Sequence, residues 1–142
     1  MMSPWRLGTV VALAAVVLAV RRRYVSVRVV GTSMSPTLQA GERILVRRAG
    51  PDQLQRGQII VVAHPSAIPG DPEWLVKRLV ALPGDPVPRD EVAALRDAPD
   101  DVVPAGRLVL LGDNPTASFD SRTTGYFQTH SLLGIAVGWA LF

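Results

Sequence analysis

Beyond residue 23 the chain never sustains a 3.6-residue apolar period over three helical turns, and this limits its folds more than any other feature. Its apolar residues come instead in short β-rich runs: Tyr24–Val30, Arg43–Arg47, Gln58–Ala63, Trp74–Leu82, Leu108–Leu111 and Leu133–Trp139. Twelve glycines and twelve prolines punctuate them, which ends strands and helices alike. The pattern predicts a mainly β domain, a compact barrel or sheet. Only Asp90–Asp97, through Glu91, Val92, Ala93, Ala94 and Leu95, predicts a helical turn. No internal repeat or low-complexity linker interrupts the 142 residues, a length that suits one core.

Before that β pattern stands a segment of another kind. Leu7–Val20 holds fourteen residues without a charge, preceded by Trp5 and Arg6 and followed by Arg21, Arg22 and Arg23. At 1.5 Å per residue such a helix covers about 21 Å, short of a hydrocarbon core of about 30 Å, so a span must recruit the Met1–Trp5 end or thin the bilayer. We expect one membrane anchor with its basic flank over residues 1–23, touching lipid through residues 5–23, and a second unit over 24–142. A signal-peptide core, with Ala12-Leu13-Ala14 as a poor cleavage site, and a buried helix are the alternatives. Leu132–Phe142, broken by Gly134 and Gly138, reads as a closing strand rather than a second span.

Charge and cysteine content remove several functions. The formal charge of +3 and a pI near 10.2 suggest nucleic acid until the cations are placed. Arg6 and Arg21–Arg23 carry four of them, leaving eleven cations against twelve carboxylates in the body. No basic stripe interleaved with aromatics follows Arg23, so nucleic acid binding is not expected. The absence of cysteine excludes disulfides, thiolate nucleophiles and zinc sites built on thiolates.

Of the fifteen cationic side chains only Lys77 is a lysine. Arginine stays protonated, whereas a desolvated lysine amine loses its proton readily and becomes a base. Lys77 lies in the apolar run Trp74-Leu75-Val76-Lys77-Arg78-Leu79-Val80, where a strand puts Leu75, Lys77 and Leu79 on one face. Compositional bias alone also explains a single lysine. Gly31-Thr32-Ser33-Met34-Ser35-Pro36-Thr37-Leu38 forms a turn able to expose a hydroxyl at a strand end, although turn hydroxyls are commonly only structural. A polar loop, Gly112-Asp113-Asn114-Pro115-Thr116-Ala117-Ser118-Phe119-Asp120-Ser121-Arg122, follows the apolar Leu110-Leu111.

These three runs, in this order, resemble the type I signal peptidases, membrane-anchored serine proteases with a Ser/Lys dyad, over about residues 29 to 138. The resemblance implies Ser33 as the acylating nucleophile and Lys77 as its base, so that Ser35 is not the nucleophile. It makes Ser118 the hydroxyl that orients the Lys77 amine, with Met34, Asp120 and Arg122 supporting the site. Gly41–Val46, Arg56–Val61 and Leu82–Asp85 resemble the family's strand and turn segments. The implied activity is removal of signal peptides from preproteins by acyl transfer, with no metal or cofactor, and with the catalytic domain on the extracytoplasmic face. The basic triplet after the apolar segment argues for the opposite orientation by the positive-inside bias.

Three departures matter. Pro115-Thr116 replaces the Arg-Asp that many members carry after Gly-Asp-Asn. Gly31 stands where some members offer a hydroxyl to the oxyanion, leaving the Ser33 backbone N–H and a neighbouring donor. Only 27 residues separate Gly84 from Gly112, too few for a large accessory β domain. The short length and the Gly-Asp-Asn-Pro variant also resemble the maturation proteases of nickel-type superoxide dismutase, which trim one partner's propeptide. A non-catalytic relative, or a self-cleaving module like the repressor autoproteases, is a further alternative, though the latter carry a helix-turn-helix where this chain has an apolar segment. A Ser/His scheme through His64 or His130 finds no protease motif around either residue.

Overall fold

In the computed structural model, which describes residues 1, 3–66 and 68–140, a long helix leads directly into a seven-stranded antiparallel sheet. The helix, α1, spans Pro4–Arg23. It is longer than the charge-free segment because Pro4 is accommodated in a first turn, where its missing N–H costs nothing. Arg21, Arg22 and Arg23 complete the last turn, where cations meet the negative end of the helix dipole. Twenty residues span about 30 Å, but with Arg21–Arg23 at the headgroups the stretch ahead of them, Pro4–Val20, covers about 25 Å, still somewhat short of a hydrocarbon core of about 30 Å. None of its side chains is buried against the protein, so the helix is long and apolar enough to cross a membrane and is not a core helix.

The strands are β1 (Tyr24–Arg28), β2 (Arg43–Arg48), β3 (Ile59–Ala63), β4 (Trp74–Ala81), β5 (Arg107–Leu111), β6 (Phe127–Gln128) and β7 (Leu132–Ala140). Their order in the sheet is β1-β2-β7-β3-β4-β5-β6, a curled half-barrel with free edges at β1 and β6. The mainly β expectation therefore holds, with six of the seven strands at the expected runs. The seventh, β6, has two residues, too few for any alternation to show, and pairs Phe127 with Leu108. The helical turn expected at Asp90–Asp97 is a single 3-10 turn, Ala93–Leu95. It closes a small apolar cluster of Val87, Val92, Leu95 and Val103 over Ala81 and Val109.

The sheet is buried on both faces at β3. Ile59 and Val61 join a cluster with Val27, Met34, Leu38, Ile44 and Val76, whereas Ile60 and Val62 join Leu75, Leu79, Leu108 and Leu110. Alternation sends successive residues to opposite faces, which is why this run is uninterruptedly apolar. Burying each such side chain is worth about 1.5–3 kcal/mol.

The closing strand enters the middle of the sheet, between β2 and β3. Its glycine at 134 pairs with Arg48, and a Cβ there would collide with the Arg47 carbonyl oxygen, so only glycine lets the two backbones approach. Gly134→Ala is expected to destabilise the folded domain by about 1–3 kcal/mol, the range for overpacking. A thermal melt of the detergent-solubilised chain, followed by near-ultraviolet circular dichroism, checks this.

Candidate active site

Two strands and two loops bring the three sequence runs together. Gly31–Leu38 forms the turn between β1 and β2, held by Met34, which is 1% exposed in the core, and by the Leu38 N–H donating to the Met34 carbonyl at 2.9 Å. Lys77 lies in β4, opposite Ile60 of β3. Leu75 and Leu79, its neighbours on the same face, belong to one core cluster, and Lys77 itself is 2% exposed. Its Nζ lies 2.8 Å from Ser33 Oγ, across 44 residues of chain.

Burial pushes the Lys77 pKa below the ordinary lysine value of 10.5. The charge of Asp120 opposes this shift and that of Arg122 reinforces it. Desolvation dominates because a charged ammonium loses its hydration shell in this position, while the neutral amine loses little.

The third run, after β5, grips both of the others. The Asn114 backbone N–H donates to the Ser33 carbonyl at 2.8 Å, and its side-chain amide donates to the Thr32 carbonyl at 3.1 Å. Asp113 accepts two bonds from the Arg78 guanidinium, at 2.8 and 2.6 Å, and one from the Thr37 hydroxyl at 2.6 Å. Arg78 also donates to the Gly57 carbonyl at 2.8 Å. One carboxylate therefore ties the turn carrying Ser33 to the strand carrying Lys77. The hydrogen bond from Arg78 is the main reason the Asp113 carboxyl titrates below its usual range.

Asp120 and Arg122 fix the start of that loop. Asp120 is fully buried and accepts the Gly112 N–H at 2.8 Å, while Arg122 donates to the Gly112 carbonyl at 2.8 Å. The two side chains pair at 2.6 Å, and Asp120 also caps the short helix α2 (Ser121–Thr124) through the Arg122 N–H. Burial works against the Asp120 charge, but Arg122, the nearby Ser118 hydroxyl and the two backbone N–H groups outweigh it and hold its pKa at about 2. Gly112 has no substitute here: a Cβ would meet the Ser33 carbonyl oxygen at 2.7 Å and overlap Ser118.

Ser33, Lys77, Met34, Asp120 and Arg122 thus converge. Ser118 packs beneath Gly112 with its Oγ shielded from solvent and close to the Asp120 carboxylate, and no hydrogen bond joins it to Lys77. Gly31 has a φ of +76°, a conformation favouring glycine, so the turn itself argues against a hydroxyl-bearing side chain at this position. Asp113, Arg78, Thr37 and Ser121, whose buried hydroxyl accepts the Leu110 N–H at 2.9 Å, take roles that their sequence context does not reveal. The one available signal was Arg78, a second cation inside an otherwise apolar strand.

Because Lys77 is the only lysine, selective 13C labelling of lysine reports this amine alone. Its titration midpoint is expected below 10.5. In Asp120→Asn the midpoint falls further, since a charge that favours the ammonium is removed. A midpoint at or above 10.5 contradicts the burial argument.

The sequence matches the family described as "Signal peptidase, peptidase S26" over residues 3–94 and 89–140. It is 30% identical to a protein named Signal peptidase I from Leptolyngbya laminosa, covering 92% of this chain and 73% of that one. It is likewise 30% identical to Signal peptidase I U of Bacillus subtilis, over 80% and 74% of the two chains. Signal peptidase I V of the same organism is 25% identical over 92% and 94%. With the family match running through the anchor-length helix and all three runs of the site, the chain belongs to the signal peptidase family, peptidase S26.

Proposed function

We propose that this protein is a membrane-anchored serine endopeptidase that removes signal peptides from preproteins, with Ser33 as nucleophile and Lys77 as general base. The observation that carries the reading is the 2.8 Å contact between Ser33 Oγ and a buried Lys77 Nζ whose pKa is lowered. With the amine neutral, Ser33 O–H donates its proton to Nζ as Oγ attacks the scissile carbonyl. The tetrahedral intermediate then collapses to an acyl-enzyme, the Lys77 ammonium protonates the departing amine, and the neutral amine regenerated takes a proton from the attacking water. The Ser33 backbone N–H, which no hydrogen bond takes up among the described residues, is free to face the oxyanion.

Asp120 and Arg122 act as supports in this scheme: they hold Gly112, and through it the loop against which the Ser33 carbonyl is pinned. Asp113 supports from the other side by joining Thr37 and Arg78. Ser118 fills the space under Gly112, and its hydroxyl serves to orient the Lys77 amine. Residues 1–23 form the anchor and basic flank, and residues 24–142 the protease domain. The catalytic domain works on the extracytoplasmic face, and Arg21–Arg23 hold anionic headgroups at the surface where they emerge. The named relatives are signal peptidases, which favours general preprotein processing over maturation of one partner.

Incubation of the detergent-solubilised chain with a preprotein carrying an Ala-x-Ala site, followed by mass spectrometry of new N-termini, tests this. One cut after Ala-x-Ala is expected, absent in Ser33→Ala. Lys77→Arg keeps the charge but not the basicity and is expected to slow cleavage about 10²–10⁴-fold, the range for a lost general base. Undiminished cleavage by either variant contradicts the dyad.

A further inference from the structure

The chain has two histidines, His64 and His130, and the proposed reaction uses neither. Remote in sequence, they line one cavity of about 550 Å3, walled by the end of β3, the α2–β6 segment and the turn before β7. Tyr126, Phe127 and Gln128 complete most of the lining, and no carboxylate, lysine or arginine contributes to it. Nothing in the wall therefore repels an anion or neutralises one in advance.

The ring of His64 has a fixed polarity. The Ser66 backbone N–H donates to its Nδ1 at 3.1 Å. A nitrogen that accepts carries no proton, so the neutral ring bears its hydrogen on Nε2 and presents a donor. A divalent metal needs the reverse, a bare Nε2 with Nδ1–H donating to a second partner. The Ser131 and Thr124 hydroxyls are already donating, to the Gln128 carbonyl at 2.7 Å and the Asp120 carbonyl at 3.2 Å. The Tyr126 hydroxyl is sealed from solvent and so does not reach the cavity. His64 Nε2–H and the His130 ring, neither with a hydrogen-bond partner among the described residues, are thus left to meet an acceptor.

Two connections run from this cavity to the proposed catalytic loop. The His64 ring stacks on Phe119 with centroids 5.5 Å apart and planes inclined by 12°, and Phe119 stands between Ser118 and Asp120. Thr124, also in the lining, bonds the backbone of Asp120, the residue that caps α2 and holds Gly112. We propose that the cavity binds a small oxyanion, a carboxylate or a phosphate, through His64 Nε2–H and His130, and that its occupancy alters the rate of peptide cleavage. The binding stands on the cavity alone, and the effect on rate rests on the function proposed above.

The imidazole resonances of the full chain in maltoside micelles report this cavity and nothing else, because no other histidine exists. Inorganic phosphate and acetate are titrated separately at constant ionic strength. Both histidines are expected to shift together and to saturate with at least one probe, and the probe that saturates identifies the oxyanion class. His64→Phe keeps a ring to stack on Phe119 but has no N–H, and the His130 shift should then saturate at least tenfold more weakly or not at all. Linear drift with both probes in the unmodified chain overturns the proposal, whatever the variant's fate in folding; so does unchanged saturation in His64→Phe. A saturating probe should change preprotein cleavage at least twofold, and saturation without that change removes the coupling to the rate. If the chain cleaves no preprotein at all, the function proposed above fails while the titration still decides the binding.

Discussion

The burial of one amine organises this structure. Lys77 projects from β4 between two leucines of its own face and is almost wholly removed from solvent, with Ser33 Oγ as its near polar neighbour. A buried ammonium costs several kcal/mol unless paired, and the carboxylate whose charge acts on it, Asp120, is already engaged by Arg122 and two backbone N–H groups. Asp120 offers Lys77 a field but no ion pair, so the amine is left free to be neutral. An acidic partner given wholly to Lys77 would hold its proton and defeat its proposed use as a base.

A contact between residues 33 and 77 also needs its two carriers fixed, and the polar loop after β5 does this twice. On one side Asp113 joins Thr37 to Arg78; on the other, Asn114 pins the Ser33 carbonyl while Asp120 and Arg122 clamp Gly112 from both ends of its backbone. The bidentate geometry of Arg78 on Asp113 sets direction as well as distance, which a lysine in its place would not do. The apolar clusters beneath explain why the scaffold holds still: Met34 and Leu38 anchor the turn into the same core that receives Val61 and Val76.

Much of this was legible in the residues. Gly and Pro bound the strands so sharply that their limits fall within two residues of the expected ones, and the sole Lys, the Ser33 turn and the Gly112–Arg122 loop stood out before any coordinates. What escaped was long-range. The two residues of β6 carry no period, the pairing of Asp113 with Arg78 spans two separate runs, and the shared cavity of His64 and His130 exists only because β3 lies near the turn before β7. The charge-free count also understated α1, since prolines and arginines at helix ends extend a helix that apolar counting stops short. The position of the Ser118 hydroxyl depends on side-chain packing under Gly112, which no spacing encodes.

In the proposed mechanism Ser33 reacts because Lys77 is buried and neutral at an accessible pH. The most direct measurement is the single-turnover rate of acyl-enzyme formation on a preprotein, recorded against pH. One ionisation is expected in the rising limb, with a midpoint below 10.5, because the folded pKa lies under the free lysine value and the active base exists above it. A rate that ignores pH across that range, or that climbs only beyond 10.5, would contradict it.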